Sequence, residues 1–347
     1  MMMKSLILLI VILIALIEAQ PIPYPKVSDS FLGANDTGVS LFPSYLGLKI
    51  HIRCYANVTS ANRKGPIALF DSGLPFFSTA WVSVIPSVLE NMPAWNISKA
   101  CFIDRYGYGW SDSSKYPITT QDYVMRLRGS LQVAGLTGKY VLVGWSWGSI
   151  FVQTYSLTYP KDVVGIMTVD GTDSKWGFIS SNQQAVITYT DIIRGYISLN
   201  NVGSLESLAR ADEISHAFGW FPSALVSTGF TECSIDATQD IFLNNKFLKA
   251  AIQEYNIMVV SSVMLNFTYA LKGTTLKDLP YVNLFASHDQ DWTNRQTYMA
   301  SLSSNSMTLP VVPIDHFVPL TNPDVIISGL AALSNKISTN PAKIWGR

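Results

Sequence analysis

Short apolar runs recur along the chain, and glycine or aspartate stops most of them. Pro66–Phe70 ends at Asp71-Ser72-Gly73, Ala100–Ile103 at Asp104-Arg105, Tyr140–Val143 at Gly144, and Val163–Val169 at Asp170-Gly171. Tyr281–Ala286 and Met307–Val312 repeat the pattern, while Leu48–Ala56 alternates apolar and polar positions as a half-buried strand does. Continuously apolar strands suit a parallel sheet covered on both faces. Helical spacing lies between them. Thr120 can cap a helix through Arg128, with Tyr123, Leu127 and Leu131 four apart, and residues 147–159 read as a helix ending at Tyr159-Pro160. Alternating strands and helices predict an α/β chain with a doubly wound, mostly parallel sheet.

One interval breaks this rhythm. Between Asp170 and Pro280 more than a hundred residues carry helical patterns and aromatic side chains such as Trp176, Phe218, Trp220, Phe221, Tyr255 and Phe267, without a strong strand signal. A structureless loop of that size is implausible in a compact domain. The expected organisation is a core of residues 20–171 and 279–347 with an inserted helical cap at 172–278.

The first nineteen residues stand apart. Lys4 precedes the apolar run Leu6–Ile17, and Glu18, Ala19, Gln20 and Pro21 follow. The run is shorter than the roughly 20 residues that span a bilayer, and the pattern predicts a signal peptide, residues 1–19, cleaved after Ala19. Association with a membrane is expected only if this segment stays attached. Sequons at Asn35, Asn57, Asn96 and Asn266 point the same way, toward a secreted glycoprotein. Three cysteines, Cys54, Cys101 and Cys233, allow one disulfide at most. Cys101 reads as a buried thiol, and a Cys54–Cys233 pairing stays open. With 24 basic and 24 acidic side chains, the charge gives no footprint for nucleic acid. No Cys/His spacing suggests a metal, and no cofactor is expected.

The strongest chemical signal is Gly144-Trp-Ser146-Trp-Gly148, a G-x-S-x-G placed after an apolar strand and before a helix. A turn that tight leaves no room for flanking side chains and holds the serine hydroxyl at its tip. Ser146 is the expected nucleophile, and the Trp147 N–H faces a developing oxyanion. A serine needs a base. Of four histidines, His51 lies upstream in a strand and His216 in the cap, whereas His316 follows the last strand in a loop before a final helix. The base must be oriented by a carboxylate. Asp289 is the first candidate, Asp291 the second and Asp170 the third, while Asp315 adjoins the base and faces away.

These residues resemble the α/β-hydrolase superfamily, in the broad group with a simple helical cap. Asp104-Arg-Tyr-Gly107-Tyr-Gly109-Trp-Ser111 is similar to its D-R-x-G-x-G-x-S segment, Tyr159-Pro160 through Gly165 to its strand entry, and His316-Phe-Val-Pro with Asn322-Pro-Asp324 to its terminal segment. Ser146-Trp147-Gly148-Ser149 is similar to the S-W-G-S of proline iminopeptidases. Two departures stand out. Asp71-Ser72-Gly73-Leu74 replaces the family's usual His-Gly, leaving the Leu74 N–H as second oxyanion donor, and Trp145 precedes the nucleophile. The resemblance implies a serine hydrolase that cleaves an ester or amide of a small apolar or short-peptide substrate through an acyl-enzyme. A proline iminopeptidase-like aminopeptidase is the alternative, with Glu206, Asp212, Glu213, Glu232, Asp236 or Asp240 to receive the amine. A non-catalytic binding protein is the second alternative. Neither the natural substrate nor the oligomeric state follows from the residues.

Overall fold

The apolar runs are the strands of one twisted sheet. The computed structural model describes residues 26, 31–32, 36–56, 65–205, 231–272 and 275–339. In chain order the core opens with β1 (Val39–Leu41), β2 (Ser44–Tyr45), β3 (Leu48–Lys49), β4 (His51–Ala56) and β5 (Ile67–Asp71). There follow α1 (Ile85–Asn91), β6 (Lys99–Asp104), α2 (Thr120–Val133), β7 (Tyr140–Trp145), α3 (Gly148–Thr158) and β8 (Val163–Val169). The next interval carries α4 (Ser180–Asn201), α5 (Glu232–Phe242) and α6 (Asn245–Lys272). The core resumes with β9 (Tyr281–Phe285), α7 (Gln290–Ser301), β10 (Ser306–Pro310), α8 (Val318–Thr321) and α9 (Pro323–Ser338). Eight strands form one sheet in the order β1-β4-β6-β5-β7-β8-β9-β10, parallel from β6 to β10 and antiparallel at the β1–β4–β6 edge. Helices on both faces bury β5, β7 and β8 along their whole length. This is the topology that continuously apolar strands require.

Three local readings are corrected. The alternating stretch Leu48–Ala56 is two strands. Leu48–Lys49 pairs with β2 as a small hairpin, and β4 joins the main sheet. Its polar positions are buried too, because His51 holds Asp104 at 2.6 Å and Arg53 holds Asp36 at 2.7 Å. The helix capped at its start is α2, but the capping side chain is Thr119, whose hydroxyl accepts the Asp122 N–H. Cys101 is not a thiol. It faces Cys54 across the antiparallel β4–β6 pair, with Cα atoms 4.1 Å apart, and the two form a disulfide that excludes pairing of Cys54 with Cys233. The expected signal peptide, Asn35, Asn57 and His216 lie outside the described residues.

The disulfide closes a loop across a sequence separation of 47 residues. Cys54→Ser with Cys101→Ser is expected to cost about 2–4 kcal/mol of stability. The change is read as a lower unfolding midpoint in urea, and an unchanged midpoint would contradict it.

Candidate active site

The turn that carries Ser146, the expected nucleophile, is built by close approach. A Cβ on Gly144 would lie 2.6 Å from the Gly148 carbonyl oxygen, and one on Gly148 would fall against the carbonyl of Asp71. Between them Ser146 takes φ +50, a left-handed conformation that costs about 1–3 kcal/mol in a non-glycine residue. The surroundings hold it there: Ser146 N donates to the Val169 carbonyl at 2.9 Å, and Thr172 N donates to the Ser146 carbonyl at 3.0 Å.

His316 sits in the loop between β10 and α8. Its Nε2 meets Ser146 Oγ at 2.9 Å and its Nδ1 meets Asp170 Oδ2 at 2.5 Å. A carboxylate only accepts, so Nδ1 carries the proton and Nε2 is left to accept from the serine hydroxyl. Trp145 anchors this loop, its indole N–H donating to the His316 carbonyl at 2.8 Å. The residue before Ser146 thus holds the His316 loop.

The carboxylate is a correction. Asp289 is the helix cap of α7, its Oδ1 accepting the Trp292 N–H at 2.7 Å. Asp291 is exposed and paired with Arg295 at 3.1 Å. Asp315 accepts the Phe317 N–H. Asp170, at the end of β8 and fully buried, takes the orienting place. Its Oδ2 also accepts from His288 Nε2 at 2.8 Å, and its Oδ1 from the Ala286 N–H at 3.0 Å and the Trp292 indole at 2.9 Å. Burial opposes its charge, but the His316 bond, the charge that ring can carry and the other donors outweigh it, so the carboxyl titrates below the ordinary range. His288 was not singled out beforehand. Its only signal was its place, three residues past Phe285 on the strand beside Asp170.

Asp170, His288 and His316 also form a group whose ligand atoms lie within 4.8 Å of one another. Each ring places a nitrogen on the carboxylate itself, so the contacts are hydrogen bonds around a shared acceptor. The Trp147 and Leu74 amides donate to no group among the described residues. Both residues line a cleft of about 360 Å³ with Ser146 and His316. Trp176, Val186, Tyr189, Tyr255 and Met258 supply its cap side, with Tyr189 and Tyr255 stacked at 5.5 Å, and Phe317 lies on the core side. Of the acidic residues considered for an amine, Glu206, Asp212, Glu213 and the Glu232 side chain lie outside the described set. Asp236 and Asp240 do not line the cleft.

Sequence and structure comparisons converge on the same fold. The family model for the alpha/beta hydrolase fold matches residues 72–210. A thermophilic esterase from Thermogutta terrifontis superposes with a TM-score of 0.59 at 16% identity, covering 87% of this chain and 99% of its own. A haloalkane dehalogenase from Agrobacterium tumefaciens C58 does so with 0.62 at 17% identity, covering 90% and 100%. The chain has the α/β-hydrolase fold. Among curated proteins, an uncharacterized vacuolar membrane protein of Saccharomyces cerevisiae is 29% identical over 134 residues, 35% of this chain and 20% of that protein. The matched region is thus about a fifth of the relative's length.

The geometry predicts opposite outcomes for two amide variants. Asp170→Asn permits the wrong imidazole tautomer and is expected to lower kcat by about 10⁴ on an ester substrate. Asp289→Asn keeps an N-cap side chain and should leave kcat within about threefold, because Asn caps about as well as Asp. Steady-state assays of both variants decide between the two carboxylates. A crippled Asp289→Asn beside an active Asp170→Asn would reverse the assignment.

Proposed function

We propose that this protein is a serine hydrolase that cleaves esters of small, uncharged apolar acids through an acyl-enzyme. The observation that carries the reading is the unbroken chain Ser146–His316–Asp170, with hydrogen-bond contacts at both joints. His316 Nε2 takes the proton as Ser146 Oγ attacks the carbonyl carbon. The same ring returns the proton to the leaving alkoxide, and a water repeats the sequence to release the acid. Asp170 keeps the imidazolium oriented and offsets its charge. The Trp147 and Leu74 N–H groups donate to the developing oxyanion. The cleft favours an ester over a peptide with a free N-terminus, since no carboxylate lines it among the described residues and its cap side is aromatic and aliphatic. An ammonium group would enter such a wall without a counter-charge.

The disulfide supports an oxidising compartment. Together with the leader-like N-terminus and the vacuolar membrane description of the yeast relative, it favours the secretory pathway or a vacuolar compartment. No helix among the described residues is long and apolar enough to cross a membrane. The sequons differ in geometry. Asn96 is exposed, whereas Asn266 is half-buried within α6 and its side-chain nitrogen donates to Ser174 Oγ at 3.3 Å.

A fluorophosphonate probe is expected to label the wild type at Ser146, and Ser146→Ala to lose labelling and about 10⁶ of kcat while keeping its fold. A Ser146→Ala protein that hydrolyses p-nitrophenyl esters at the wild-type rate would sink the mechanism. In protein from a eukaryotic host, peptide mapping after endoglycosidase should find the tag at Asn96 and not at Asn266. An unmodified Asn96 counts against passage through the secretory pathway.

A further inference from the structure

Arg105 follows Asp104 at the end of β6 and is 4% exposed. A guanidinium has five N–H groups, and here each has its own acceptor. Nη1 donates to Asp71 Oδ1 and to the Ser72 carbonyl, both at 2.6 Å. Nη2 donates to the Gly73 carbonyl at 3.2 Å and to Glu254 Oε2 at 3.1 Å, and Nε to Glu254 Oε1 at 2.7 Å. The rings of Tyr108 and Phe151 lie 5.2 and 5.0 Å from its central carbon. Asp71 ends β5, and its second oxygen accepts the Tyr123 hydroxyl of α2 at 2.8 Å. Glu254 belongs to α6, outside the sheet core. One side chain therefore ties together two strand ends, the segment after β5 and a cap helix.

The bond to Gly73 bears on the chemistry. The Gly73 carbonyl and the Leu74 N–H belong to one trans peptide unit, in which the two point in opposite directions. The carbonyl is gripped twice, by Arg105 Nη2 and by the Phe76 N–H at 2.8 Å. Its N–H is thereby turned away from the arginine, and Leu74 lines the cleft that holds Ser146. We propose that Arg105 is a positioning residue for the oxyanion hole, and that Glu254 makes the cap part of the same device. The inference rests on the serine-hydrolase reading above. Helix α6 holds the guanidinium, the guanidinium holds the Gly73 carbonyl, and the peptide presents the Leu74 N–H to the oxyanion. Helix α6 also carries Tyr255 and Met258 of the cleft wall, so the element that shapes the substrate site sets the donor that stabilises its transition state.

The test uses the full chain and two variants. Arg105→Lys has three donors and no planar fork, and Glu254→Gln keeps its shape but loses the charge and turns one acceptor into a donor. An oxyanion donor acts on the transition state, and losing one costs about 10²–10³ in kcat. Arg105→Lys is expected to lower kcat about 100-fold and Glu254→Gln about 10-fold, with KM for a p-nitrophenyl ester within about twofold of wild type. Affinity for a trifluoromethyl ketone, which forms a tetrahedral adduct with the serine, should fall by the same factors. A merely structural role would lower the unfolding midpoint without moving kcat and ketone affinity together. If Arg105→Lys does not fold, Glu254→Gln decides alone. Folded variants with wild-type kcat and ketone affinity, or a loss confined to KM, overturn the proposal while leaving the hydrolase reading intact. A wild type whose Ser146 takes no fluorophosphonate overturns that reading and this one with it.

Discussion

Asp170 has no exposed surface, and a carboxylate taken that far out of water keeps its charge only where donors replace its hydration. Here the donors come from the segments that follow β9 and β10. The Ala286 N–H, the His288 ring and the Trp292 indole arrive from the loop and helix after β9, and His316 from the loop after β10. The positive φ of Asp170, +41, places that strain where the most partners converge. Removing the carboxyl charge would therefore loosen both segments at once, and the Ser146–His316–Asp170 contacts would lose their alignment.

The same device recurs along the sheet. β5, β6 and β8 each end at or next to a buried aspartate: Asp71 meets Arg105, Asp104 meets His51, and Asp170 meets two histidines. Buried ion pairs are weak evidence for net stability, since desolvation offsets most of the attraction. Asp71 illustrates the cost, because burial pushes its carboxyl up to about 6 even beside Arg105. What such pairs supply is geometry. Asp104 shows it at the end of β6, where one carboxylate accepts from His51 Nδ1, the Ser78 N–H and the Trp110 N–H. The similarity of Asp104-Arg-Tyr-Gly-Tyr-Gly-Trp-Ser111 to a family segment thus has a structural content: the aspartate knits the strand end and the arginine beside it grips the neighbouring loop.

Much of this was legible in the chain itself. The apolar runs located the six principal parallel strands to within a residue or two, most clearly β5, β7 and β8, because a strand covered on both faces can hardly be anything but apolar, whereas β10 lies at the sheet edge and is largely exposed. The turn around Ser146 was legible because close backbone contact leaves only glycine at its flanks. The aspartates after the runs were harder. A stop residue reads as solvent-exposed punctuation, and nothing local says that Asp71, Asp104 and Asp170 turn inward to buried partners. Pairing across strands is likewise invisible locally. Cys54 and Cys101 face each other only because β4 runs antiparallel to β6, a fact of the sheet order rather than of either segment.

Asp289 was the first candidate for the orienting carboxylate and Asp170 is the one against His316, for a related reason. Asp289 lies after β9, and Asp170 after β8, and these strands are neighbours. Their ends adjoin, with the Asp170 N–H donating to the Leu284 carbonyl at 2.7 Å. The two aspartates thus follow adjoining strand ends, so chain spacing alone cannot choose between them. What chooses is the competing demand on each residue. The N-terminus of α7 has orphan N–H groups, and Asp289 satisfies one of them as its cap, which commits its carboxylate to the helix. Asp170 has no helix to cap. With Asp170 against His316, the loop and helix after β9 supply hydrogen-bond donors to it, through Ala286, His288 and Trp292. The carboxylate is then held between neighbouring strand ends, with the charge after β8, the Ala286, His288 and Trp292 donors after β9, and His316 after β10.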